Sequence, residues 1–184
     1  MQNTTSTIVA AFVAAVFLFV TPLVTLTNRN DNVTQENVKL IVEEFVTEIK
    51  NTGKLSQTSY QNLQNKLAAT GNTYNVEIEV HTLDENPGKK TSQANYTKIG
   101  ENVYYVEYTT QILNRLGIKV GENTPQNDEN NTILLKEGDL VYVSATNANS
   151  TAAQTLKSSL FGYSNAEEYV ISASSSGMVT VNGK

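Results

Sequence analysis

The chain has no cysteine, a single histidine and no basic cluster larger than Lys89-Lys90. Each shortage removes a class of function. Without cysteine there is no disulfide, no thiolate zinc site and no cysteine nucleophile. With His81 as the sole imidazole, a nitrogen-rich metal centre is out of reach. A nucleic-acid binder would show a basic stripe, whereas the net charge here is −5 and the pI about 4.9. No nucleic-acid partner is expected, and neither is a cofactor, a metal or an identified small-molecule substrate.

Charge is missing altogether from one long stretch. Ile8 to Leu26, IVAAFVAAVFLFVTPLVTL, holds no charged side chain. At the rise of an α-helix it reaches about 30 Å, the thickness of a bilayer's hydrocarbon core. Thr21 and Thr25 are its only hydroxyls, and a helix absorbs these by bonding them to its own carbonyls. The sequence therefore predicts an N-terminal tail (1–7), a transmembrane anchor (8–26), a short polar neck (27–32) and a single domain (33–184). The lipid bilayer is the first expected partner. The tail has no Lys or Arg, the apolar run is longer than a signal core, and Thr25-Leu26-Thr27 is a poor cleavage site, so a retained single-pass anchor is expected. Pro22 should bend the end of this helix. Phe12, Ala14, Phe17, Leu18 and Pro22 are the candidate packing residues in the membrane, with Ala10, Ala11, Ala14 and Ala15 permitting close helix approach.

Orientation is balanced finely. Arg29 and Lys39 follow the anchor and no basic residue precedes it, which read alone puts the domain in the cytoplasm. Asp31, Glu36, Glu43 and Glu44 crowd the same flank, and long domains translocate regardless of so small a bias. Charge leaves the side open, and the C-terminal domain is expected outside the cytoplasm on the family resemblance given below.

About 150 residues remain beyond the anchor, enough for one domain with a core. Asp31 or Thr34 could cap the next helix, in which Val38, Ile41, Val42, Phe45, Val46 and Ile49 recur at helical spacing. Gly53 would end it; Ser56 would start a second helix with Tyr60, Leu63, Leu67 and Ala68, stopped by Gly71. From Tyr74 the period changes to two, with Val76, Ile78 and Val80 alternating against Glu77, Glu79 and His81. Further strands are expected over Val103 to Ile112, Leu140 to Ala145, Tyr169 to Ala173 and Met178 to Val181, with a helix over Thr151 to Phe161 and polar loops at Asp84 to Lys90 and Gly121 to Thr132. The fold class expected is α+β: a transmembrane helix, a helical hairpin, then a largely antiparallel sheet with one further helix.

Chemical motifs are few. His81 reads as a strand-end surface histidine, and Glu77 with Glu79 as the wet face of a half-buried strand. Gln126-Asn127-Asp128-Glu129-Asn130 is rich in oxygen but lacks the spacing and glycine of a calcium loop. Five Asn-x-Ser/Thr sequons, beginning at Asn3, Asn32, Asn95, Asn130 and Asn149, are about what so asparagine-rich a chain yields by chance. Lys136-Glu137-Gly138-Asp139-Leu140 looks like the Gly-Asp turn of type I signal peptidases. The serine nucleophile that family carries upstream is replaced by Asn130-Asn131-Thr132, and a sortase-like transpeptidase would need the missing cysteine. A non-catalytic protein is expected.

Taken together, the anchor IVAAFVAAVFLFV, the segment Val42-Glu43-Glu44-Phe45 and Ile49-Lys50-Asn51-Thr52-Gly53-Lys54-Leu55 resemble type IV pilin-like proteins, especially the TadE-like minor pilins and pseudopilins of gram-positive bacteria. Ser59-Tyr60, Leu63, Leu67 and Tyr74 to Glu79 continue the likeness. The resemblance implies a structural or assembly component of a bacterial pilus or secretion apparatus, with other membrane or pilus-assembly proteins as partners. It departs from the family in having no glycine before the apolar run, the first being Gly53, and in placing Glu36 well beyond it. Prepilin-peptidase processing is therefore not expected, and a component that stays in the membrane fits better than a major pilin. The face Val38, Ile41, Val42, Phe45 and Ile49 could receive a partner helix or pack on the protein's own sheet. The competing reading is a tethered binding module unrelated to pili.

Overall fold

The computed structural model describes residues 2–83, 104–118, 131–161 and 170–184. An unbroken helix, α1 (Gln2–Thr52), opens the chain and spans about 76 Å at helical rise. The polar neck expected at 27–32 is part of it. Nothing in Thr27-Asn28-Arg29-Asn30-Asp31-Asn32 is a helix breaker, and Thr27 Oγ1 donates to the carbonyls of Leu23 at 3.1 Å and Val24 at 3.0 Å, keeping the hydroxyl within the helix. Neither Asp31 nor Thr34 caps a new helix; both are buried inside this one.

Gly53 ends α1 with φ 63°, and a Cβ there would strike the backbone of Val181 and Gly183. The expected helical hairpin is present but joined by a strand, β1 (Lys54–Ser56). Ser56 caps α2 (Gln57–Ala68), its Oγ accepting from the Ser59 N–H at 3.0 Å. Next come β2 (Tyr74–Leu83), β3 (Tyr104–Tyr108), α3 (Thr109–Arg115), β4 (Thr132–Leu134), β5 (Leu140–Asn147), α4 (Ala152–Phe161) and β6 (Ser172–Met178). The strands form a four-stranded antiparallel sheet in the order β3-β2-β5-β6 and a small β1-β4 pair.

Three expected strands are corrected. The strand expected over Val103 to Ile112 stops at Tyr108, and Thr109 turns the chain into α3. Its Oγ1 accepts from the Ile78 N–H at 2.8 Å and donates to the Ile78 carbonyl at 3.2 Å, closing the ladder, while Gln111 Oε1 accepts from the Tyr108 N–H at 3.0 Å. Ile112, Leu113 and Leu116 then enter the core at helical spacing. The two short C-terminal strands are one, centred on Ser174-Ser175-Ser176. That run has little strand propensity, and its pairing with β5 imposes the extended form. Tyr169, Val103 and the loops expected at Asp84 to Lys90 and, up to Asn130, from Gly121 lie outside the described residues.

The core lies between α1 and the inner face of the sheet. Val38, Val42, Phe45, Val46 and Ile49 pack toward Val76, Ile78, Val80, Val141, Val143, Ala145, Ile171 and Ala173, with Leu55, Leu63, Leu67, Ile112 and Leu116 closing the rim. Each fully buried aliphatic side chain stabilises the fold by about 1.5–3 kcal/mol. This assigns the face proposed for a partner helix. Val38, Val42, Phe45 and Ile49 are buried and Ile41 is partly buried against the same cluster, so no foreign helix has access to them.

Candidate functional site

Three surfaces are available for function. The first is the bare half of α1, the one helix among the described residues that is long and apolar enough to cross a membrane, none of its apolar window being buried in the head. Phe12 is 71% exposed, Phe17 62% and Leu18 69%; Ala14 and Pro22 are exposed as well. Ala14, Leu18 and Pro22, four residues apart, share one stripe, while Phe12 lies on another side. Helical structure continues through Pro22, whose missing N–H leaves the Leu18 carbonyl without its usual donor.

Second is the junction at which this half enters the head. Thr151 Oγ1 donates to Asp31 Oδ2 at 2.7 Å, both residues being buried. The same hydroxyl accepts from the Gln154 N–H at 3.3 Å, and Gln154 Oε1 accepts from the Thr151 N–H at 2.7 Å, a capping box that starts α4. A carboxylate at this position also faces the positive end of the α4 dipole. One turn further along α1, Gln35 Oε1 accepts from the Ser172 N–H at 3.0 Å, and its amide donates to the Ser172 carbonyl. The side chain thereby occupies backbone groups on the open edge of β6.

The third surface is the outer face of the sheet. Strand register aligns Tyr108, Glu79, Tyr142 and Ser176 in one row, and Val106, His81, Leu140 and Met178 in the next. Here lies a shallow cavity of about 300 Å³ lined by Glu79, His81, Leu140, Val141, Tyr142, Ser176 and Gly177. His81 is half-buried within β2, its Nε2 3.4 Å from Glu79 Oε2 and its ring edge-on to Tyr104 at 6.4 Å. Glu77 and Glu79 do share this face. Asp139, in the turn that resembles the signal peptidases, is buried and holds backbone instead: it accepts from Leu83 N–H at 2.9 Å and Lys136 N–H at 2.8 Å. Among the described residues no three His, Asp or Glu side chains approach closely enough to hold a metal ion. The oxygen-rich segment Gln126 to Asn130 lies outside them.

Compared with protein-family models, curated proteins and solved structures, the chain matches none. The geometry of these surfaces therefore carries the functional argument alone. Sequence patterning located the bare helix. It missed the Asp31–Thr151 and Gln35–Ser172 clasps, which join residues 120 and 137 positions apart. A local signal existed only for α4, where Thr151-Ala152-Ala153-Gln154 fits a capping box.

Proposed function

We propose that this protein is a membrane-anchored, pilin-like structural or assembly component of a bacterial pilus or secretion apparatus, acting without catalysis and holding its head outside the cytoplasm. The observation that supports this reading is the continuity of α1. One half is bare and apolar; the other is the spine of an antiparallel-sheet head, and no flexible joint separates them. A rigid rod of this kind transmits position from bilayer to head, which an assembly component needs and a freely tethered domain does not. On this reading the anchor is retained and the protein works beside the apparatus in the membrane. Ala14, Leu18 and Pro22 offer the stripe on which a neighbouring membrane helix would pack.

The test is deletion of the gene, with surface filaments and secreted protein scored, combined with in-cell cross-linking from Leu18. Loss of filaments or secretion and capture of a polytopic membrane protein are expected. Intact filaments and unchanged secretion would refute the assembly role. Protease shaving of intact cells should remove the head, and protection of residues beyond Asn32 would contradict the outward placement.

The outer-face cavity favours a second reading, a tethered binding module that captures a ligand on Tyr142, His81 and Ser176. Under that reading Tyr142→Ala abolishes function while leaving the anchor stripe dispensable; under the first, the reverse holds.

A further inference from the structure

We infer that α4 is a second membrane contact, running beside the anchor from the lipid headgroup layer into the upper acyl chains; this rests on the reading of residues 8–26 as a transmembrane helix. Depth follows from helix geometry. Asp31 is five residues beyond Leu26, about 7.5 Å along α1. The headgroup layer on each side of a bilayer is about 5–7 Å thick. The Thr151 hydroxyl bound to Asp31 at 2.7 Å therefore starts α4 at the outer limit of that layer.

The direction of α4 follows from shielding on the anchor. Between Thr4 and Asn30 every residue of α1 is exposed except Val20, Val24, Thr27 and Asn28, and these share one helical face with the buried Asp31. α4 is in contact with α1, and Ala153, its second residue, is buried. A helix of ten residues starting at Asp31 and running back along this stripe covers about 15 Å, which returns it to the level of residues 20 and 21. The Ala14-Leu18-Pro22 stripe lies roughly 140° away around α1 and stays open.

The chemistry of α4 suits the layer. In a chain of net charge −5 it holds no acidic residue, and its one charge is Lys157. Arg29 is the only charged residue of α1 before Asp31. Two cations at headgroup depth match lipid phosphate, and the Lys157 stem is long enough to reach outward to it. Thr155, Ser158 and Ser159 are exposed, and their hydroxyls donate to the Thr151 and Thr155 carbonyls, so α4 carries no unsatisfied hydroxyl donor toward the lipid.

The chain has no tryptophan, so one introduced indole reports its own depth. Full-length Ser159→Trp, Leu18→Trp and Tyr142→Trp are reconstituted into phosphatidylcholine–phosphatidylglycerol vesicles with and without brominated acyl chains. Ser159→Trp is expected to show a blue-shifted emission and roughly twofold quenching, approaching Leu18→Trp, as an interfacial indole does. Tyr142→Trp, about 25 Å above Leu26 by helix and strand rise, is expected to show neither. Leu18→Trp quenched with Ser159→Trp behaving like Tyr142→Trp overturns the placement of α4 and leaves the anchor standing. An unquenched Leu18→Trp overturns the anchor and this inference with it. If Ser159→Trp disturbs the head, seen as a lowered melting temperature, Ser158→Trp reads the same depth and decides by the same outcomes.

Discussion

The two halves of α1 share one backbone and face opposite solvents. Residues 8–26 are apolar all round and exposed except at Val20 and Val24, whereas in residues 34–49 a single stripe (Val38, Val42, Phe45, Val46, Ile49) is buried and the other sides carry Lys39, Glu43, Glu44 and Glu48. An all-round apolar helix asks for lipid, and a one-sided helix asks for a sheet to lie on. Between them the helix does not break, because hydrophobicity decides what surrounds a helix while breakers and caps decide where it ends. Thr27 to Asn32 is polar and rich in residues that can cap, but it contains no breaker, and Thr27 bonds back into the helix while Asp31 is engaged by Thr151.

Removing residues 2–26 should separate the halves completely. The shortened chain is expected wholly in the aqueous fraction after ultracentrifugation, with the circular dichroism of a folded head; an aggregated or unfolded product would mean the halves stabilise one another. Next in size is Ile49→Ala, expected to destabilise the head by about 2–5 kcal/mol through lost burial and an unfilled cavity. Phe17→Ala in the bare half should leave the urea midpoint of the head unchanged. If both variants shift it alike, the anchor is packed on protein and not lipid-facing. Asp31→Ala comes third. It removes the acceptor of a buried Thr151 hydroxyl and should cost about 1–3 kcal/mol. Proteolysis should then find a new cut near the start of α4 while the sheet stays protected, and a uniform loss across the head would show that the junction is not a separate unit.

Most of the scaffold was legible in the sequence because its signals are local. The uncharged run Ile8 to Leu26, the heptad-like apolar spacing from Val38 to Ile49, and the alternation from Tyr74 to Val80 each declare solvent and period within one element. What was not legible depends on distant partners. Ser174-Ser175-Ser176 is a strand because β5 supplies its ladder, and Thr109 ends β3 because Ile78 is there to hold its hydroxyl. The neck is illegible for a related reason: polarity alone does not end a helix, and here Thr27 bonds to the Leu23 and Val24 carbonyls while Asp31 is held by the distant Thr151. The candidate surfaces divide the same way. The bare helix is a property of one segment, while the outer-face rows exist only once four strands are in register.

The smallest expected effect concerns how the buried half of α1 holds α2. Tyr60, on α2, is buried beside the core, and burial opposes the phenolate, raising its pKa above the ordinary 10.0; Gln64 Nε2, donating to the Tyr60 oxygen at 2.8 Å, works weakly the other way. The sign follows from linkage. A raised folded-state value means the neutral phenol is favoured by folding, so its contribution is intact below about pH 10 and is lost as pH climbs through the raised value. Urea midpoints at about pH 8 and about pH 11 should therefore fall more for the native chain than for Tyr60→Phe, because phenylalanine cannot ionise. At the lower pH the variant should lose only about 0.5–1.5 kcal/mol, the worth of one hydrogen bond to Gln64. The anchor half has no tyrosine, so its association with lipid should not change between the two pH values through phenol ionisation. A parallel alkaline loss in both proteins would place the sensitive group elsewhere in the head and remove α2 from the pH response.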